Sequence, residues 1–214
     1  MVVGKRMTPN PVTVDPSTPV TDARKIMQRE KIHRLPVVDR HGKLVGIVTE
    51  KDLLYASPSP ISSLDIYEVS HLLSKLTVDK VMSKKLVTVT ADTPVEDAAR
   101  VMIDNNIGGL PVLKESLMIG IITESDLLKI FIELFGARRQ GIRATILIPE
   151  RPGALAEVAQ AIRDRGGDII SLGTFLGEDP SNAYCIFKVQ NMTKEDLTAC
   201  LAPHVEKITD LREA

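Results

Sequence analysis

Asp52 and Asp126 each stand three residues after a threonine, Thr49 and Thr123, where a short apolar run gives way to a helix-like stretch. A carboxylate at such a junction can accept hydrogen bonds from both hydroxyls of a ribose, which suits a nucleoside and is indifferent to its base. The threonine hydroxyls, with the free N–H groups of a helix start, suit phosphate oxygens. The same residues also have a purely structural use, because Thr and Asp near a helix start cap it. From the residues alone both uses stay open. His33-Arg34 adds a basic pair just before Leu35-Pro36, and it suits either an anion or a solvated turn. Catalytic signatures are missing. There is no Gly-rich Lys-Ser/Thr phosphate loop, Gly-x-Gly-x-x-Gly, His-Glu-x-x-His or Gly-x-Ser-x-Gly. His33, His41, His71 and His204 are scattered. The reading is a protein without catalysis.

Composition narrows the partners. A formal net charge of −1 argues against a nucleic-acid binder, which neutralises phosphates with Lys and Arg. Aromatic residues are 3% and Trp is absent, so platforms for stacking unpaired bases are lacking. Cys185 and Cys200 fit no metal motif, and buried reduced thiols are expected. Neither a signal peptide nor a run of about 20 apolar residues is visible, so no membrane partner and a cytoplasmic location are expected.

The elements that would position these side chains come in two copies. Met7-Thr-Pro-Asn-Pro-Val-Thr-Val14 and Thr18-Pro19-Val20 match Met82-Ser-Lys-Lys-Leu-Val-Thr-Val89 and Thr93-Pro94-Val95. The register runs on through Leu35-Pro36-Val37 and Leu110-Pro111-Val112. It resumes after one slip as Gly46-Ile47-Val48-Thr49-Glu50-Lys51-Asp52 against Gly120-Ile121-Ile122-Thr123-Glu124-Ser125-Asp126. This is a duplication. Each copy reads as strand, helix, strand, strand, helix. Thr18 and Thr93 are the expected N-caps, with Pro19 and Pro94 in the first turn. Ala23 and Met27, like Ala98 and Met102, mark an apolar helix face. His41-Gly42-Lys43 is the expected hairpin turn. One copy alone could not bury its apolar face, but two packed together could.

Both copies resemble CBS domains, whose signature is this β-α-β-β-α order ending in Gly, two apolar residues, Thr or Ser, two spacers and Asp. The resemblance implies a paired module with two clefts for adenosine ligands: AMP, ADP, ATP or S-adenosylmethionine. It makes Thr49 with Asp52, and Thr123 with Asp126, the ribose- and phosphate-facing pairs. It places Thr13 and Val14, and Thr88 and Val89, at the base, with Pro36 and Pro111 beside them. It sets His33 and Arg34 near ligand phosphates in one copy, where the other has Gly108 and Gly109, so the clefts should differ in charge. The first copy with an inter-repeat helix spans 1–76, and the second 77–136. The loop Ala56 to Pro60 and a helix carrying Leu64, Tyr67, Leu72, Leu73 and Leu76 are expected between them.

Residues 137–141 read as a linker. From 142 to 214 the pattern is β-α-β-β-α-β, a ferredoxin-like order. Ile142, Ala144, Ile146 and Ile148 alternate on a strand, and Gly166-Gly167 stops the first helix. Arg151-Pro152-Gly153-Ala154-Leu155 resembles the turn of ACT domains, which implies an amino-acid site there. The full order, a CBS pair and then an ACT domain, is similar to that of acetoin-utilisation proteins, implying a regulatory role in carbon catabolism. The expected fold is thus α/β (α+β), a tandem CBS pair followed by a ferredoxin-like ACT domain. The expected function is regulatory nucleotide sensing in a homodimer, with a target enzyme as a candidate partner; the alternatives are a regulatory subunit docked on a metabolic enzyme, or a dimerising scaffold with no nucleotide role.

Overall fold

The computed structural model describes residues 1–56 and 75–214. The expected inter-repeat loop from Ser57 to Pro60, and the helix positions Leu64, Tyr67, Leu72 and Leu73, lie outside the described residues. The chain divides into two compact units, Met1–Leu127 and Leu128–Ala214. Among the described residues no helix is long and apolar enough to cross a membrane.

In the first unit a short strand β1 (Thr8–Pro9) precedes the first copy: α1 (Val20–Glu30), β2 (Arg34–Val38), β3 (Leu44–Thr49) and α2 (Glu50–Tyr55). After α3 (Val78–Val81) the second copy follows: β4 (Val89–Thr90), α4 (Val95–Asn105), β5 (Gly109–Lys114), β6 (Leu117–Thr123) and α5 (Glu124–Leu134), of which residues 128–134 count with the second unit. Val20, Ala23 and Met27 of α1, and Ala98 and Met102 of α4, are buried at helical spacing. The expected Thr18 and Thr93 caps do not form. Pro19 and Pro94 take the N-cap positions instead, extended and without a side-chain cap bond. Proline has no N–H to lose at that position, and its fixed φ suits the entry. Thr93 is used locally, accepting from the Thr90 N–H at 3.1 Å.

The segment leading into each copy docks on the other copy. β1 pairs with β6, Thr8 opposite Ile121, while Ser83 exchanges two backbone bonds with Ile47 of β3, at 3.0 and 2.9 Å. Upstream, Val3 donates to the Thr93 carbonyl and Val78 to the Thr18 carbonyl, each at 2.8 to 2.9 Å. Val3 is fully buried among Val89, Ala98, Met102, Leu110, Val112 and Ile122. Val78 is equally buried against the first copy, among Val14, Val20, Met27, Leu35 and Val48. Glycine makes the close approach possible. A β-carbon on Gly46 would collide with Met82, and one on Gly120 with Met7. Each core is finished by a residue from the other copy's leader.

The second unit contains β7 (Ile142–Pro149), α6 (Ala154–Asp164), β8 (Asp168–Leu176), β9 (Asn182–Gln190), α7 (Lys194–Leu201) and β10 (Lys207–Glu213). Its sheet runs β10-β7-β9-β8, antiparallel throughout, which is the ferredoxin-like arrangement. Ile142, Ala144, Ile146 and Ile148 pack with Val158 and Ile162 of α6 and Leu197 and Leu201 of α7. Residues 137–141, expected as a linker, are tied to this sheet. Lys188 on β9 is 3% exposed, and its Nζ donates to the Gly136 carbonyl at 3.1 Å and the Arg139 carbonyl at 2.8 Å. Gln190 donates to the Gln140 carbonyl at 2.8 Å, and the Phe135 ring stacks on Phe175 with centroids 5.9 Å apart.

Both cysteines belong to this core. Burial pushes the Cys185 thiol up to about 11. Only about one molecule in a thousand then carries the reactive thiolate at pH 8. A coloured thiol reagent at pH 8 is therefore expected to leave Cys185 unmodified in the native protein and to react fully in denaturant. Stoichiometric labelling of native Cys185 within minutes, mapped by mass spectrometry, would contradict this packing.

Candidate functional site

The two Thr–Asp pairs have the same geometry at the two strand-to-helix junctions. Thr49 donates from N and from Oγ1 to Asp52 Oδ2, at 2.8 and 2.7 Å, and accepts from the Asp52 N–H at 3.3 Å. This is a reciprocal capping box at the start of α2. Thr123 likewise donates from N and Oγ1 to Asp126 Oδ2, at 3.1 and 2.8 Å, at the start of α5. Each hydroxyl proton therefore points at its own aspartate. The threonines orient the carboxylates, and the pair of bonds in each copy ends on Oδ2. Asp126 is 8% exposed, so the second carboxylate is largely withdrawn from water, whereas Asp52 is half-buried.

The strand ladder sets the other predicted residues beside these boxes. Arg34 lies opposite Thr49 in the β2–β3 pairing, and Gly109 lies opposite Thr123 in the β5–β6 pairing. On the far side of β2, Val14 donates to the Pro36 carbonyl at 3.1 Å and accepts from Val38 at 3.0 Å. Val89 pairs in parallel with Val112, next to Pro111. Val14, Val89, Pro36 and Pro111 are buried, Thr13 is half-buried and Thr88 is exposed. The first strand, the Pro-bearing strand and the Thr–Asp strand thus lie side by side in each copy.

His33 and Arg34 part company. His33 Nδ1 lies 2.8 Å from Glu50 Oε2 on the same copy. Arg34 crosses to the second copy, where its guanidinium covers Gly109 and Gly108 close to Glu124. Burial lowers the Arg34 pKa below the ordinary arginine value, and Glu124 opposes that shift. Glu50 and Glu124 were not singled out from the sequence, although the repeated Thr-Glu-x-Asp places them at one offset in both copies. A cavity of about 530 Å³ in the first unit is lined by Asp15, Ser17, Asp39, Arg40, Thr77 and Asp79, and none of the predicted residues lines it.

In the second unit the predicted turn has the shape expected of it. Gly153 is left-handed, φ 91°, at the N-cap of α6, where a side chain would be strained. Ala154 is buried and Leu155 packs on the core, while Pro152 is exposed. Arg151 is already engaged. Its two terminal nitrogens donate to both Glu157 oxygens at 2.8 Å, which holds the Glu157 carboxyl below the usual range. His204 Nδ1 stands 3.8 Å from the same carboxylate.

Comparison with known proteins matches the repeated part of the chain to one family. The CBS-domain family model matches residues 3–59 and 78–133. A CBS domain-containing protein of Dictyostelium discoideum is 37% identical over 135 residues, covering 63% of this chain and 93% of that protein. Among solved structures, a protein assigned to acetoin utilization (AcuB) from Vibrio cholerae is 31% identical, with a TM-score of 0.54 over 64% of this chain and 95% of that one. The CBS pair of protein MJ0100, solved with 5-methylthioadenosine and S-adenosylmethionine, is 29% identical with a TM-score of 0.52, over 65% of this chain and 98% of that one. CBSX2 in complex with AMP is 33% identical with a TM-score of 0.51, over 64% of this chain and 98% of that one. On the repeated fold, the matching model and these relatives, the chain belongs to the CBS-domain family, as a tandem pair with a ferredoxin-like unit after it.

Proposed function

We propose that the CBS pair is a regulatory sensor of adenosine ligands, with no catalysis of its own, and that Asp52 and Asp126 hold the ribose. The observation that carries this reading is the repeated Thr–Asp junction, in which the threonine N–H and hydroxyl both donate to the aspartate Oδ2. Two carboxylates are fixed in advance by Thr49 and Thr123 at equivalent junctions, so a ribose diol meets acceptors that need no reordering. Thr49 and Thr123 then position the aspartates rather than donate to phosphate, and Arg34 supplies the positive charge. AMP, ADP, ATP and S-adenosylmethionine all offer the same diol. The complexes of MJ0100 and CBSX2 with such ligands support this choice. A ligand regulates only by preferring one arrangement of the protein over another.

The second unit fits an ACT domain in strand order and in its Gly153 turn. An amino-acid carboxylate reaching Arg151 there would have to displace Glu157. Its two sheet edges differ. β10 carries Lys207, Asp210, Arg212 and Glu213 and has a register shift after Ile208, whereas β8 has no charge from Ile169 to Leu176 and exposes Phe175 and Leu176. An uncharged open edge favours pairing with a second copy, in keeping with a homodimer. A cytoplasmic regulator of acetoin-type catabolism, docked on a target enzyme, is the cellular role this reading extends to.

Calorimetric titration with the four ligands tests the core of the proposal. Asp52→Asn and Asp126→Asn keep an oxygen that accepts from the threonine N–H, so the melting temperature should stay within about 2 °C of wild type. Each is expected to weaken binding about ten- to a hundredfold at its own cleft, the cost of losing charged hydrogen bonds to a diol. Unchanged affinity in the double variant would remove the aspartates from the site. No heat with any of the four would move sensing to the second unit, or leave a scaffold.

A further inference from the structure

Glu50 and Glu124 hold equivalent places, but their counter-charges are not equivalent. Each opens a helix and donates its backbone N–H to the preceding junction, Glu50 to the His33 carbonyl at 3.1 Å and Glu124 to the Gly108 carbonyl at 3.2 Å. Glu50 finds a partner in its own copy, with His33 Nδ1 at 2.8 Å. Gly108 offers Glu124 no side chain. Arg34 arrives from the first copy instead. A β-carbon on Gly108 would lie 2.5 Å from Glu124 Oε2 and 2.7 Å from Arg34 Nη2, so carboxylate and guanidinium flank the same glycine, near enough to feel each other's charge without a direct ion pair. The neighbouring Gly109 lies directly under Arg34 Nη1. The imidazole and the guanidinium beside these glutamates thus both come from one copy, and the glycine pair of the other makes room for the one that crosses.

We infer that Glu124 stands in for a phosphate at Arg34 and thereby sets how strongly the site prefers a phosphorylated nucleoside over the bare nucleoside. This rests on the nucleotide-binding reading above and adds to it the residue that tunes phosphate selectivity. A phosphate reaching Arg34 must displace or approach the Glu124 carboxylate, and two anions in a partly desolvated place repel. A bare nucleoside makes no such demand. Removing the Glu124 charge therefore strengthens binding of the phosphorylated ligand alone.

The test compares AMP with adenosine by calorimetry at constant ionic strength, on the full chain and on Glu124→Gln, Arg34→Met and the double variant. Glu124→Gln is expected to improve AMP affinity about five- to tenfold while leaving adenosine within about twofold. Arg34→Met should bring AMP down towards adenosine, and in that background Glu124→Gln should change the AMP-to-adenosine ratio less than about twofold. An unchanged ratio in Glu124→Gln, or the same gain without Arg34, would overturn the inference while adenosine binding kept the nucleotide reading standing. Failure of both ligands to bind wild type would instead sink the nucleotide reading, and this inference with it.

Discussion

Val3→Asp is expected to unfold the second CBS copy while the first, which contains no contact of Val3 in its core, is affected later. Val3 is fully buried among Val89, Ala98, Met102, Leu110, Val112 and Ile122, and its N–H is bonded to the Thr93 carbonyl. An aspartate there would be a buried charge with no partner, costing at least about 4 kcal/mol. That is a large part of the roughly 5–15 kcal/mol that holds a small domain folded. Hydrogen exchange followed by mass spectrometry should show α4, β5 and β6 losing protection first. Val78→Asp should give the mirror result, with α1, β2 and β3 exposed first, because Val78 fills the equivalent place in the other core. Val3→Ala, which only opens a small cavity, should cost about 1–2 kcal/mol with the same regional signature. Early loss in α1 and β2 of the Val3 variants would refute the crossed docking.

Lys188→Met should loosen the hold of residues 136–141 on the second unit's sheet by about 1–3 kcal/mol. The side chain is buried, and it is the donor to two carbonyls, Gly136 and Arg139, that lie just past the end of α5. Methionine fills a similar volume but leaves the Arg139 oxygen without that donor and the Gly136 oxygen with the Arg139 N–H alone, and an acceptor stripped of its partner costs about 1–3 kcal/mol. The lysine also sets a positive charge near the carbonyl end of a helix, where it is favoured. The amides of Ala137, Arg139 and Gly141, bonded to Ile132, Gly136 and Ala214, report the effect directly. They should exchange at least tenfold faster in the variant, with the Ile146 and Val158 core little changed. Wild-type exchange at these three amides would show that Lys188 does not pin the segment.

What the sequence could and could not disclose follows from the kind of interaction involved. The duplication, the element order and the Thr–Asp junctions are local patterns, and period and spacing reveal them. Ile142 to Ile148 alternates just as a half-buried strand must, and the structure places those side chains in the core. The caps of α1 and α4 differ from the expected Thr18 and Thr93 because Thr and Pro both favour a helix start, and the proline one residue later takes the cap. Which copy a leader packs on has no local signature at all. Self-similarity aligns Met7 with Met82, yet says nothing about Met7 lying over Gly120 rather than Gly46. The separation of His33 from Arg34 is hidden for the same reason, since His33 lies just before β2 and Arg34 opens it, and only the tertiary partner decides the use of each. Arg151 stands at the expected turn, but its engagement with Glu157 depends on a helix geometry that the turn motif does not encode.

The crossed leaders also bear on how such a chain arises. A polypeptide with one copy would have a core lacking its valine and a leader with nowhere of its own to lie. Two such chains would satisfy each other only by trading leaders, as an exchange-coupled pair whose persistence depends on concentration. Joining the two genes end to end makes the trade intramolecular, at an effective concentration set by the tether rather than by expression. Once tethered, the copies are free to diverge at facing positions without losing their hold on each other. The Arg34 and Gly109 pair, equivalent in register and opposite in character, is an asymmetry that two identical copies trading leaders could not carry, because both would bear the same residue at that place.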